Sequence, residues 1–200
     1  FLNNHRSVVI PNGINLDLFR ILKAKVNNSN ETKIILGVAS TWGDNKGLKD
    51  FKKLSHLLNS NYRIVLIGLT KKQIKELPNN MDGIERTESI EELVEWYNKA
   101  TLFLNLTYVD NFPTTNIEAL ACGTPVVTYN TGGSPEAIKD ETGIGYTVQK
   151  GDLKQVVNVI NDFRGSIEIR EKCRAHAEKY FNKYDRYSDY LKIYQSISKK

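Results

Sequence analysis

Residues 101–129 read TLFLNLTYVDNFPTTNIEALACGTPVVTY. Thr101–Leu106 is a short apolar run of the kind a buried strand makes. A loop over Thr107–Pro113 leads into a helix over Thr115–Ala121. Cys122-Gly123-Thr124 ends that helix, with Gly123 placed to supply its left-handed cap. Pro125–Tyr129 is again a short apolar run. Strand, helix and strand in this order make a βαβ unit, and such a unit joins parallel strands.

The same alternation continues on both sides. Upstream lie a strand at Lys33–Val38 (KIILGV) and an amphipathic helix over Lys46–Asn59, with Leu48, Phe51, Leu54, Leu57 and Leu58 on one face. A second strand follows at Arg63–Gly68, then a short helix at Lys71–Leu77 and a third strand at Gly83–Arg86. Ser89 opens the next helix, which runs to about Ala100. Glu92 stands three residues on, as in a capping box. Downstream come a sixth strand at Gly145–Val148 and helices over Asp152–Phe163, Ser166–Phe181 and Tyr184–Ser198. The pattern predicts an α/β chain: a Rossmann-like, doubly wound parallel sheet with both faces covered. Sheets of this kind bind ligands outside the carboxyl ends of their strands. The loops to inspect therefore follow Val38, Gly68, Arg86, Leu106 and Tyr129.

Residues 1–30 differ from the rest, with a strand-like Val8–Ile10, a Pro11-Asn12-Gly13 turn signal and a polar Asn27–Asn30. They read as an interdomain hinge or linker, and 31–182 as the Rossmann-like domain. The aromatic tail helix, 183–200, needs a partner surface, either on this domain or on a missing N-terminal one. The chain has no initiator Met and no signal peptide over Phe1–Arg6, so it reads as a piece of a longer protein.

Hydrophobic residues make up 40% of the chain and charged residues 26%, with a formal net charge of +5. The basic balance suits phosphate-bearing ligands or an anionic membrane surface, and equally a solvated basic surface. The basic residues are dispersed and no nucleic-acid-binding signature is present, which argues against a nucleic-acid partner. Cys122 and Cys173 form no CxxC pair and fit a reduced, cytoplasmic setting. His5, His56 and His176 are scattered, so no metal site is expected.

The chemistry concentrates in Asp110–Pro125. Asp110 and Glu118 have seven residues between them, and Thr114, Thr115 and Asn116 stand at a helix start. A helix start offers unpaired N–H groups and a positive dipole end, a natural diphosphate site. A carboxylate one turn later can accept hydrogen bonds from vicinal sugar hydroxyls. The spacing alone is also that of a local cap and a dipole-compensating surface charge. Lys46, in Asp44-Asn45-Lys46-Gly47, reads on its own as a solvated first-turn lysine. Gly132-Gly133 lacks the spacing of a phosphate loop and reads as a tight turn opening a helix, with Pro135 and Glu136 in the first turn.

The stretch as a whole resembles the signature of the group 1 (family 4) glycosyltransferases of the GT-B fold. It carries Asp110, Phe112, Pro113, Glu118, Ala119, Ala121, Gly123, Pro125, Val126 and Val127 in order. VIPNGI (Val9–Ile14) with Phe19, the Lys46-Gly47 pair and TGGSPEAI (Thr131–Ile138) are similar to the same family.

The resemblance implies transfer of a sugar from a nucleotide diphosphate sugar, UDP or GDP linked, with retained configuration and no further cofactor. It implies a catalytic set of Lys46, Asp110 and Glu118. Glu118 would hold the ribose hydroxyls, Asp110 the transferred sugar, and Lys46 the leaving diphosphate in place of a metal. Backbone N–H groups of Asn111, Phe112, Thr114 and Thr115, in the segment that includes Pro113, would hold the diphosphate and sugar. The base would lie near Glu85, Arg86 and Thr87.

Two positions depart from the family pattern. Asp110 replaces the usual Glu, and Ser40 stands where a second cation is usual, so either Lys46 suffices or Arg86 or a group of the other domain helps. Trp42 would cover the site or join the core. The acceptor, a saccharide or lipid-linked saccharide, would bind a missing N-terminal domain, so this half alone would transfer little. The resemblance suggests bacterial surface polysaccharide synthesis, in the cytoplasm with peripheral contact at the inner membrane face. A binding-only donor domain and a sugar-nucleotide epimerase remain the competing readings.

Overall fold

The computed structural model describes residues 7–22, 32–138 and 143–198. Strands β1 (Lys33–Val38), β2 (Tyr62–Ile67), β3 (Met81–Ile84), β4 (Leu102–Asn105), β5 (Val126–Tyr129) and β6 (Gly145–Val148) form one sheet. All pairings are parallel, in the order β3-β2-β1-β4-β5-β6. The helices are α1 (Leu48–Leu57), α2 (Lys71–Lys75), α3 (Ile90–Lys99), α4 (Thr114–Ala121), α5 (Leu153–Asp162), α6 (Ile167–Tyr180) and α7 (Lys183–Ser198).

Alternate strand residues point to opposite faces, and both faces are buried, so the central strands are apolar throughout. Leu36, Val65, Phe103 and Val126 face α3, α4 and α6, together with Ile14 and Leu16. Ile35, Ile64, Leu102, Leu104 and Val127 face α1 and α5. The chain winds outward from β1 to β3, then crosses back to β4 on the other side of β1. The carboxyl ends of β1 and β4 therefore diverge, and their crevice is where such a sheet takes a ligand.

Several boundaries differ from the sequence reading. β3 starts at Met81, not Gly83, and ends at Ile84, not Arg86. Asp82-Gly83 looks like a turn dipeptide, but Asp82 forms an ion pair with Arg63 on the neighbouring strand. A Cβ on Gly83 would fall 2.8 Å from Ile74 and Leu77, so glycine there lets α2 pack closely. The helix expected from Lys46 is broken. A 3-10 turn covers Asp44–Lys46, Gly47 adopts φ +74°, and α1 begins at Leu48. A Cβ on Gly47 would lie 2.1 Å from the Leu106 carbonyl oxygen. This close approach presses the loop after β1 onto the end of β4. Leu57, expected on the apolar face of α1, is exposed.

At α3 the Ser89 hydroxyl accepts from the Glu92 N–H at 3.1 Å, as expected of a cap. The Glu92 carboxylate returns to the N–H of Glu88 rather than to that of Ser89. Val8 and Val9 form no strand and are exposed. Residues 14–22, assigned to the linker by the sequence, pack on the domain. Ile14 bridges to Asn182, and the Arg174 guanidinium donates to the carbonyls of Leu16, Phe19 and Ala121. Asn27–Asn30 lies outside the described residues. α7 buries no residue and leaves Tyr184, Tyr187, Tyr190 and Tyr194 exposed. No helix among the described residues is long and apolar enough to cross a membrane.

Candidate functional site

A cleft of about 310 Å³ opens at the divergence of β1 and β4. The loop after β1 supplies one wall with Ser40, Trp42 and Lys46, and the start of α4 supplies the other with Pro113, Thr114 and Thr115. Phe51, Leu104 and Leu106 make the apolar floor. Pro113, at the cap position of α4, offers no side-chain hydrogen bond to the helix's first-turn N–H groups. That end of the helix is consequently an anion-attracting surface.

Gly47 sets the position of Lys46. With the chain pressed against Leu106, Lys46 reaches the loop after β4, and its Nζ lies 2.6 Å from Asp110 Oδ2. The lysine is about one-third exposed and the aspartate 16%, so the ammonium stays open to the cleft while its partner is largely covered. Ser40 stands in the wall as a hydroxyl, with no charge of its own.

The Asp110 loop is held from several sides. A Cβ on Gly132 would lie 1.9 Å from the Asp110 carbonyl oxygen, and one on Gly133 would lie 1.9 Å from that of Asn111. Only glycine allows the loop after β5 to back the site loop this closely. Tyr108 N–H and Thr107 Oγ1 both donate to the Asn45 carbonyl, beside Lys46. The hydroxyls of Tyr108 and Tyr129 donate to Asp50 Oδ2 at 2.6 and 2.8 Å. Asp50 is buried on α1, and the hydrogen bond to it, with burial and then its charge, pushes the Tyr108 phenol up to about 12.

Glu118 lies deeper, on α4 beyond Thr114. Its Oε2 accepts from the Tyr97 hydroxyl of α3 at 2.9 Å. Burial raises its pKa above the usual carboxylate value, while hydrogen bonds from Tyr97 and Thr114 act in the opposite sense. Burial, and then the nearby Glu118 charge, pushes the Tyr97 phenol far up, so it remains a donor.

Of the residues expected in the site, the cleft wall gathers Ser40, Lys46, Asp110, Phe112, Pro113, Thr114 and Thr115. Glu118 is not part of the wall; it lies one turn beyond Thr114 and is bonded to Tyr97 behind it. Asn111, Arg86 and Thr87 are not part of the wall, Arg86 and Thr87 following edge strand β3. Trp42 belongs to the core and also borders the cleft. It lines the cleft and is buried edge-on against Phe51, with Nε1 donating to the Ile67 carbonyl at 2.8 Å. The sequence reading missed Tyr97, Asp50 and Tyr108. None sits in a motif, and their partners are 21 to 79 residues away in the chain.

The family model for group 1 glycosyl transferases matches residues 19–180. The chain belongs to this family. This glycosyltransferase chain is 32% identical over 94 residues to a D-inositol 3-phosphate glycosyltransferase of Streptomyces scabiei, a match covering 45% of the chain and 21% of that protein. It is 22% identical over 182 residues to the capsular polysaccharide biosynthesis glycosyltransferase CapM of Staphylococcus aureus, covering 84% of the chain and 47% of CapM. Its fold matches that of Anabaena Alr3699/HepE, solved in complex with UDP-glucose, with a TM-score of 0.75 and 18% identity. That match covers 94% of this chain and 57% of the Anabaena protein. The glycosyltransferase chain thus spans about half the length of CapM and of the Anabaena protein. The six-stranded parallel sheet is the Rossmann-like half of the GT-B fold.

Proposed function

We propose that the cleft binds the diphosphate of a UDP- or GDP-linked sugar, and that the sugar passes to an acceptor saccharide or lipid-linked saccharide with its configuration retained. The observation that carries this reading is the convergence of Lys46 and the uncapped start of α4 on one crevice at the β1/β4 switch point. A diphosphate placed there meets an ammonium from one wall and backbone N–H groups from the other. Fixed positive groups at the leaving diphosphate are what the transition state requires, because charge develops there as the glycosidic bond breaks. Asp110 takes a hydroxyl of the transferred sugar, and Glu118 takes the ribose. The base extends toward Glu85, Arg86 and Thr87.

The acceptor binds an N-terminal domain on the far side of the cleft. The exposed aromatic face of α7, in the segment 183–200, packs toward it. The likeness to CapM supports a role in surface polysaccharide synthesis, in the cytoplasm with peripheral contact at the membrane. One observation favours a binding-only domain instead: Ser40 leaves Lys46 as the wall's lysine or arginine, already paired with Asp110.

Calorimetric titration with UDP, GDP and ADP, without added metal, tests the reading. One nucleotide binds in preference to the others. Because Asp110 competes with the diphosphate for Lys46, Asp110→Asn binds that nucleotide more tightly, by about 1 kcal/mol or less, the usual scale of a part-exposed ion pair. A folded protein that binds none of the three overturns the proposal.

A further inference from the structure

Tyr97 is fully buried in the apolar layer beneath α4. Its ring packs edge-on against Phe103 and Phe19, with centroids 5.6 and 6.2 Å away. Its carbonyl accepts from Thr124 Oγ1. A phenylalanine would meet all of these neighbours equally well. The partner of the phenol hydroxyl is Glu118 Oε2 at 2.9 Å. A buried hydroxyl costs free energy unless it is bonded, so this one earns its place only through the carboxylate.

We infer that Tyr97, which no ligand can touch, is the positioning residue for Glu118: its hydroxyl ties down Oε2 and leaves Oε1 as the acceptor for the donor's ribose hydroxyls. The inference rests on the donor-site reading above. A glutamate has three rotatable bonds, and one oxygen fixed from below removes most of that freedom before the ligand arrives. Thr114, on the same helix and in the cleft wall, favours the charged carboxylate in the same sense as Tyr97. The pair also bears on ionisation. A neutral Glu118 would turn an acceptor into a donor, and the Tyr97 bond favours the charged form against the burial that opposes it. The other charged or titratable groups nearby are Cys122, one turn along α4, and Arg170 and Arg174 of α6. Those guanidiniums donate to the carbonyls of Cys122 and Ala121 at the far end of the helix.

Two measurements on Tyr97→Phe test this. The side-chain carboxyl of Glu118, followed by carbon-13 NMR without ligand, titrates at higher pH in the variant than in the wild type. The dissociation constant of the preferred nucleotide diphosphate rises about threefold to tenfold near neutral pH, and the acid limb of binding moves up with the carboxyl. In a Glu118→Ala background, which removes the acceptor altogether, the same substitution changes nucleotide affinity no further. An unmoved carboxyl titration overturns the inference. So does an equal loss of affinity in the Glu118→Ala background, since a purely packing role would weaken both proteins alike. If the wild type binds no nucleotide, the donor-site reading falls and this role falls with it, while the carboxyl titration still decides whether the two side chains are coupled.

Discussion

Lys46→Ala lowers kcat of the full-length enzyme by about 10²–10³, the scale of removing one fixed group that stabilises developing negative charge. The effect is large because, among the described residues, the cleft wall has no second cation to replace it. Ser40, on the same wall, contributes only a neutral hydroxyl. The substitution also strands Asp110, whose side chain is 16% exposed and whose salt-bridge partner is Lys46. Some lost stability therefore accompanies the lost rate, and the double variant Lys46→Ala/Asp110→Asn separates the two. It recovers the stability, because neither charge is left unpaired, and it stays as slow as the single variant or slower. Steady-state kinetics beside thermal unfolding reads both quantities. A single variant that keeps its kcat removes Lys46 from the mechanism and leaves the Asp110 ion pair as its whole role.

Glu118→Ala weakens binding of the preferred nucleotide by about 1.5–3 kcal/mol, roughly tenfold to a hundredfold, the usual worth of a charge-assisted hydrogen bond. Glu118→Gln keeps the shape and loses the charge, and falls between the two. The same carboxylate sets the pH dependence. Its folded pKa is raised, chiefly by burial. In the proposed site the ionised form is the better acceptor for ribose hydroxyls, so affinity is expected to fall as pH falls through that raised value, in a window above that of an ordinary glutamate. Stability runs the other way. A folded state that holds the proton more tightly than the unfolded state loses stability as pH rises through the same window. Glu118→Gln accordingly costs the fold little near neutral pH while it costs the ligand. Isothermal titration from pH 5 to 8, with denaturant melts alongside, measures both slopes.

What the sequence disclosed was local. KIILGV and GYTV read as strands with the bounds they have in the structure, because a parallel strand buried on both faces is a continuous apolar run. The Asp110–Glu118 stretch announced a strand end, a loop and a helix start, and the cleft lies there. Lys46 was picked out, yet placed in a helix, because nothing in DNKGLKDF says that Gly47 must turn left-handed to clear the Leu106 carbonyl. β3 was displaced for a related reason. Asp82 is a turn former by composition, and its ion pair with Arg63 exists only after the strands have paired. The clamps behind the site were illegible for the same cause. Asp50 meets hydroxyls from Tyr108 and Tyr129, 58 and 79 residues on, and no periodicity of α1 distinguishes a buried, bonded aspartate from a solvated one.

In the proposed site a nucleotide diphosphate sits between Lys46 and the start of α4. Amide chemical-shift mapping during titration with the preferred nucleotide tests this most directly. Saturable shifts concentrated over residues 40–47 and 111–118 are expected. Shifts clustered instead at the small groove between Leu18, Leu22 and Val94, or none from a folded protein, would contradict it.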